Sequence, residues 1–447
     1  MLFVDYDGGV IGEAVRTSYD SLKGSDFLSL QEESPAVFPS IGRLEKEVCG
    51  TRYWAALYTT AGASDRLSKA LSSINAVTTY KPEEVLTFIW NEARYSAIVD
   101  TAIHNNLQNL SDNARLAYTS MNGSFAISAI AVGNKANINI LAKPWTLTSL
   151  NIQPTSQGSR LIYNTLVIIL ILIQEFFYLG TVNGLYASLK IYNRIYPHRI
   201  ITYRNFISLT YTFIGSLCVT GMIWAFRGHW DVNTAQFFLT WVALWLFAHA
   251  NFLTMDVFTI WLPLPYVPMA LITWVVFNVA SILVPFELSP GFYRWAYALP
   301  AHEIYQILTD IWSRGCNPQL YHALPVLFAL ELFSFLLSAL GVYRRCHYAV
   351  IAQEAEDEAF DDRVKSALVF ERNRDAEREQ ELIEEAEGTS NETMLQKAKT
   401  KERADVERAI RENDTKMRKE LSKSGRSCNF GPSFDLPFKD DSMESMK

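Results

Sequence analysis

Five long apolar stretches between Leu161 and Arg345, separated by short loops, constrain this chain more than any other feature. An α-helix rises about 1.5 Å per residue, so about 20 apolar residues cross the hydrocarbon core of a bilayer. In lipid each backbone N–H and C=O must be satisfied within its own helix, which makes such stretches helical. The chain therefore reads as a polytopic α-helical membrane protein. Spans are expected at 161–187, 205–226, 234–256, 265–285 and 320–343.

The apolar content of 49% is unevenly spread. Residues 1–160 have the composition of a globular domain, 161–345 are lipid-soluble, and 346–447 are dominated by Glu, Lys, Arg, Asp and Ala. In the first region Leu2 to Gly9 reads as a buried strand closing in a tight turn, followed by a helix from about Gly12 to Leu22. A second strand is expected over Tyr53–Tyr58, then a helix from Ser64 to about Ser73, where Leu67 and Leu71 fall four apart. Pro82, Glu83 and Glu84 suit a first helical turn, so a long helical region is expected from there, with breaks, to about Met121. Thr146–Ile152 resembles a last strand. The alternation predicts an α/β domain.

Positive charge orients the spans. Lys190, Arg194, Arg199 and Arg204 follow the first, and Arg344 and Arg345 follow the last, so both places are assigned to the cytoplasm and residues 1–160 face outward. Glycosylation sequons at Asn109 and Asn122 lie in that outward region. The chain opens without a basic n-region or a long apolar h-region. Delivery of an outward domain is therefore expected to need a further span upstream of Met1, giving six.

Several function classes are set aside on chemistry. A net charge of −7 without a basic stripe argues against nucleic acid, whose phosphates demand a cationic face. The five cysteines form no CxxC pair and have no histidine at ligand spacing, so no metal site is expected. Cys49 and Cys316 share the outward side in this topology, which leaves a bridge and two unrelated thiols both open. The chain contains no Gly-x-x-x-x-Gly-Lys-Ser/Thr loop to cradle nucleotide phosphates; no cofactor is expected, and any transport needs a separate ATPase, an ion gradient or a passive mechanism. Asp5-Tyr6-Asp7 superficially matches the opening motif of haloacid-dehalogenase phosphatases, but no Gly-Asp-x-x-x-Asp follows. The aspartates are read as cap and turn formers, with no catalytic residues and no enzyme activity.

The residues singled out for function lie within the spans. Gln174 and Glu175 fall near the middle of the first, Glu331 near the middle of the last, His249 well inside the third, and Asp256 at its predicted cytoplasmic end. A charge at the centre of a span costs about 2.5–3.5 kcal/mol on insertion scales, so such groups face a bundle interior or a polar path. Glu175 and Glu331 are read either as a proton-linked or substrate-binding pair lining one path, or as neutral acids that join helices by hydrogen bonds. A structural role is favoured for His249 and Asp256. Pro263, Pro265 and Pro268 set a bend where the fourth span begins. Beyond the spans, residues 352–421 alternate acids and bases with few apolar positions; a solvated helix or a partly disordered arm is favoured over a coiled coil, and residues from Gly425 onward over disorder-promoting composition read as unstructured.

Val4-Asp5-Tyr6-Asp7-Gly8-Gly9, Arg52-Tyr53-Trp54-Ala55-Ala56, Gly62-Ala63-Ser64-Asp65-Arg66-Leu67 and the order of the spans resemble the fungal nitrosoguanidine-resistance membrane proteins, a group otherwise labelled a domain of unknown function. The resemblance runs from Phe3 to about Arg345. Members typically carry a hydrophobic helix just before the Asp-Tyr-Asp motif, which this chain lacks. Leu288 to Trp295 and Ala298-Leu299-Pro300 are more distantly similar to the membrane domains of ABC-2 type exporters, where such a segment is re-entrant or interfacial on the outer face. Trp295, Tyr297 and Trp312 suit that headgroup layer, and an ordinary amphipathic loop is the alternative. The resemblance implies a permease-like protein of the plasma membrane, surrounded by membrane lipids and acting on hydrophobic small molecules. It would support tolerance of toxic compounds by export or by altering membrane composition, as a homo-oligomer or with a separate ATPase. The competing reading is a non-transporting scaffold or receptor.

Overall fold

A computed structural model describes residues 1–386 apart from 25–26, 96–97, 131–134, 155–164, 284 and 287–288, together with 404, 408, 411 and 415. The N-terminal region forms a five-stranded sheet from β1 (Leu2–Asp5), β2 (Gln31–Glu33), β3 (Ala55–Thr59), β4 (Leu86–Trp90) and β5 (Leu147–Asn151), in the order β2-β1-β3-β4-β5. β1 is parallel to β2 and β3, β4 runs antiparallel to β3, and β5 is parallel to β4.

Side chains alternate across a strand, so both faces of a sheet that is apolar throughout must be covered. Phe3, Leu57 and Phe88 meet helix α1 (Val10–Leu22) and helix α3 (Ala63–Ser72) through Ile11, Val15 and Leu67. Leu2, Val4, Ala56 and Ile89 meet helix α2 (Ile41–Cys49) through Leu44 and Val48 on the other face. The expected α/β domain is present. Within it, the expected long helix after Pro82 is wrong: Pro82–Glu84 makes a single 3-10 turn and the next residues form β4. Proline and two acids do suit a helix start, but Leu86 to Trp90 is a short, fully buried apolar and aromatic run that gains more by pairing with two strands. The long helix begins later, at Asn105, and ends at Ala129. It contains both sequons, and Ser111 of the first is buried and accepts from the Trp145 indole at 3.2 Å. β2, Gln-Glu-Glu at an edge, carries no apolar signal and was not expected.

Among the described residues, four helices are long and apolar enough to cross a membrane: Val167–Ser188, Pro197–Ala225, Thr234–Trp261 and the apolar part of the last helix. The expected fourth span is a shorter apolar helix, Val267–Leu283, about 25 Å long. The second begins eight residues before the expected 205, and the expected start of the first, 161–164, lies outside the described residues. The last helix does not stop near 343. It runs from Leu320 to Ala386, 67 residues, so the charged tail continues the span as one helix that leaves Leu368, Val369 and Phe370 exposed. Residues from Gly425 lie outside the described ones.

The chain divides into two compact units. Unit 1 comprises Met1–Ile173, Tyr211–Asn251 and Thr273–Glu331; unit 2 comprises Gln174–Thr210, Phe252–Ile272 and Leu332–Lys447. In unit 1 a disulfide joins Cys49, at the end of α2, to Cys316, and the Asn91 amide donates to the Cys316 carbonyl at 3.3 Å. Of the two possibilities open in the sequence, the bridge is the one formed. Trp295 and Tyr297 are exposed on a 3-10 segment, Gly291–Ala298. Trp312, expected at the headgroup layer, is instead buried and stacked on Trp230 with ring centroids 4.4 Å apart, because it ends an amphipathic helix, Pro300–Trp312, on its inward side.

Candidate functional site

Ionisable side chains inside apolar helices are the residues whose presence most needs a reason, and they fall into three settings. In unit 2 Asp256 is fully buried and receives Arg204 Nη2 at 2.6 Å, Arg204 Nε at 3.3 Å, the Ser338 hydroxyl at 2.6 Å and the Thr259 hydroxyl at 3.2 Å. Arg204 Nη2 also donates to Asn183 Oδ1 at 2.8 Å. Arg345 donates to the Tyr192 hydroxyl at 2.9 Å and to Thr259 Oγ1 at 2.6 Å, and stands 3.8 Å from Asp256. The rings of Tyr186 and Phe252 lie 5.4 and 5.6 Å from the Arg204 guanidinium carbon, within cation–π range.

This cluster takes Asn183, Arg204, Asp256 and Ser338 from the four spanning helices. Arg204 reaches both carboxylate oxygens of Asp256 and Ser338 donates to one of them, Arg345 adds a second positive charge nearby, and Arg204 Nη1 is buried without a partner. Removing one partner from a buried ion pair costs about 3–5 kcal/mol, since the other charge is stranded. The same face admits close packing: a Cβ added at Gly341 would stand 2.5 Å from Ile260 Cγ2. Arg204 was expected among loop cations. It lies instead inside the second spanning helix with its charge matched, because a guanidinium in an apolar helix is tolerated only beside a carboxylate.

The second setting is in unit 1. His249 Nδ1 makes a short hydrogen bond with Glu331 Oε1, while Glu331 Oε2 has no partner. The His249 side chain is 5% exposed and that of Glu331 is 23% exposed, but the unpartnered Oε2 is itself buried. Third, Glu175 in unit 2 is wholly buried and neither of its oxygens has a hydrogen-bond partner, with Gln174 beside it half-buried. Glu331 is joined to His249, and the two acids belong to different units.

Among the described residues no group of three or more His, Cys, Asp or Glu could hold a metal ion. The turn after β1 is filled from within. Asp5 Oδ1 accepts from the amides of Asp7 and Gly8 at 3.1 and 3.0 Å and from the Thr59 hydroxyl at 2.6 Å, while Oδ2 takes Arg16 at 2.7 Å. Asp7 receives the Ser64 amide at 3.0 Å and the Ser64 hydroxyl, which caps α3 rather than the helix that follows it directly. A Cβ at Gly12 would lie 1.9 Å from Asp5 Oδ2, so glycine alone lets α1 approach this carboxylate.

Sequence reasoning picked Gln174, Glu175, His249, Asp256 and Glu331, and missed Arg204, Asn183, Ser338 and Arg345 as partners. Arg204 was detectable: Ile200, Ile201, Phe206 and Ile207 surround it with the apolar residues of a helix rather than those of a loop. No solved structure matches the chain. With residues 1–336 of its 447 matched, the chain belongs to the family described as Protein of unknown function (DUF3533).

Proposed function

We propose that this integral membrane protein is permease-like and contributes to resistance to toxic compounds such as nitrosoguanidine, by exporting them or by altering membrane composition, at the plasma membrane. The observation that carries the reading is the His249–Glu331 pair: two ionisable groups within apolar helices, one carboxylate oxygen of which is left without a partner. A purely anchoring helix has little reason to hold such a pair, since insertion of each group is costly. Movement of the proton along the Nδ1–Oε1 bond leaves the net charge of the pair unchanged, so a transport role rests on the pair gaining or losing a proton. That is what coupling to an ion gradient requires, and no step in this reading makes or breaks a substrate bond. The α/β domain faces outward in this scheme, with lipids and hydrophobic solutes as partners. The Cys49–Cys316 bridge supports that side, because disulfides persist in oxidising compartments.

Glu331→Gln and His249→Gln are the test. Efflux of a labelled toxic solute from cells or vesicles is measured beside the yield of folded protein. Export predicts at least a tenfold loss of efflux per folded molecule; unchanged specific efflux would sink it.

The second reading, a non-transporting scaffold or receptor, is favoured by the Arg204–Asp256 cluster, which joins helices through buried hydrogen bonds. It predicts that resistance follows the amount of folded protein and nothing else.

A further inference from the structure

Unit 2 contains one end of each spanning helix: the end of Val167–Ser188, the start of Pro197–Ala225, the end of Thr234–Trp261 and the stretch of the last helix from Leu332. Packing brings these ends together. Tyr186, Ile200, Val342 and Cys346 form one apolar cluster, with Ile191 and Tyr192 against it. Arg345 donates to the Tyr192 hydroxyl at 2.9 Å, and Arg344 Nη1 donates to the Ile260 carbonyl at 3.1 Å. The short helix Ile191–Arg194 is thereby held at the level of Arg344 and Trp261.

The exposed faces of two of these helices change character in the same order. On Pro197–Ala225, Arg199, Tyr203 and Phe206 follow at spacings of four and three, so they share one face, and all three are exposed. On the last helix Leu336, Leu340, Tyr343 and His347 do the same in the opposite chain direction. Outward from the middle of each span, an exposed apolar stripe meets a tyrosine and then a basic side chain one turn later. Tyrosine collects where hydrocarbon gives way to headgroups, since its ring is apolar and its hydroxyl wet. A basic group about 6 Å further out stands among lipid phosphates.

Charge at this level is one-sided. Residues 188–204, 257–268 and 340–353 contain no Asp or Glu. Lys190 is accounted for, because its ammonium donates to Gln353 Oε1 at 3.1 Å and Glu356 Oε2 at 3.0 Å on the tail. Three arginines are not. Arg194 is exposed, and the Arg199 guanidinium carbon lies 6.0 Å from the centre of the Tyr196 ring. Arg344 is half-buried beside Trp261 and Tyr348, at 5.1 and 5.5 Å from their ring centres. None of the three has a carboxylate partner among the described residues. An aromatic face steadies a guanidinium and leaves its fork of N–H groups for an oxyanion, and that fork matches two phosphate oxygens.

We propose that this end of unit 2 binds an anionic membrane lipid, whose phosphate accepts from Arg194, Arg199 and Arg344. A zwitterionic headgroup carries its own cation beside the phosphate and gains less from three uncompensated arginines. In the orientation that positive charge favours, the site meets the cytoplasmic leaflet, where anionic lipids are concentrated. The site stands independently of the transport reading.

The test uses the full-length protein in detergent, given equimolar dioctanoyl phosphatidylglycerol and dioctanoyl phosphatidylcholine, with retained lipid counted by native mass spectrometry. The anionic lipid is expected to be retained about tenfold over the zwitterionic one. Replacing Arg194, Arg199 and Arg344 together by Gln should bring that ratio to within about twofold of unity, while Lys190→Gln leaves it near the parent value. Glycerol 1-phosphate, a headgroup without chains, should not displace the lipid when added in about tenfold excess. Equal retention of the two lipids by the parent overturns the proposal, as does an unchanged ratio in a triple variant whose thermal midpoint shows it folded. An equal loss in Lys190→Gln assigns the anion to the wrong cations, and displacement by glycerol 1-phosphate assigns the site to a free solute; either overturns it. Should Arg344→Gln not fold, the double change at Arg194 and Arg199 decides, with a loss of about threefold or more expected.

Discussion

His249 and Asp256 are on the same spanning helix, about two turns apart, and they do opposite things with buried charge. Asp256 is surrounded by donors: two arginines and two hydroxyls converge on it, and it is sealed from solvent. His249 has an acidic partner whose second oxygen is buried without a hydrogen bond. In a buried ion pair the loss of one member strands the other charge. The Glu331 carboxylate leaves one buried oxygen without a partner, so the two carboxylates are expected to differ in what their removal costs the fold.

The sharpest way to break that comparison is to remove the carboxylate from each. Asp256→Ala should cost about 3–5 kcal/mol, seen as collapsed folded yield and a much lower thermal midpoint in detergent, since Arg204 loses its counter-charge. Glu331→Gln should leave the midpoint within a few degrees while reducing specific efflux; equal destabilisation by both would erase the distinction. Next in size, replacing Cys49 and Cys316 by Ser should cost about 2–5 kcal/mol, read as a lower thermal midpoint. A reduced protein of unchanged midpoint would show that the bridge restrains nothing. Gly341→Val should cost about 1–3 kcal/mol by forcing a side chain against Ile260, and Gly341→Ala less.

The smallest effect is a cancellation. Burial raises the Glu303 carboxyl from 4.5 to about 7 and lowers His302 from 6.5 to about 4. Folded Glu303 holds more protons than unfolded between those limits, so its contribution to stability falls as pH rises through them. Folded His302 holds fewer, so its contribution rises with pH across its own window. Their slopes oppose each other between about 4.5 and 6.5, and the parent protein should be nearly flat there. Glu303→Gln should expose a stability that increases with pH, and His302→Phe one that decreases. Thermal midpoints measured across this range check the signs, and parallel profiles would contradict them.

Signals carried by single segments were legible in the sequence. The spans follow from local hydropathy, and β1, β3, α1 and α3 from short-range alternation and turn residues. β4 was hidden because Pro82 and two acids advertise a helix, and only the presence of two partner strands decides for a strand. The polar residues were visible one by one, but their pairing was not. His249 and Glu331 are 82 residues apart, Arg204 and Asp256 are 52 apart, and no periodicity links positions on different helices. Counting Arg204 as a loop cation was an error of boundary, and it removed the partner that explains Asp256.

The last helix has a mechanical consequence. From Arg345 to Ala386 it continues for about 60 Å beyond the apolar part without a break. A rod of that length is a lever, and a tilt of about 5° at its base carries its far end about 5 Å sideways. Small changes around Ser338 and Arg345 are thereby converted into displacements comparable to a side chain, at a distance where another molecule could register them.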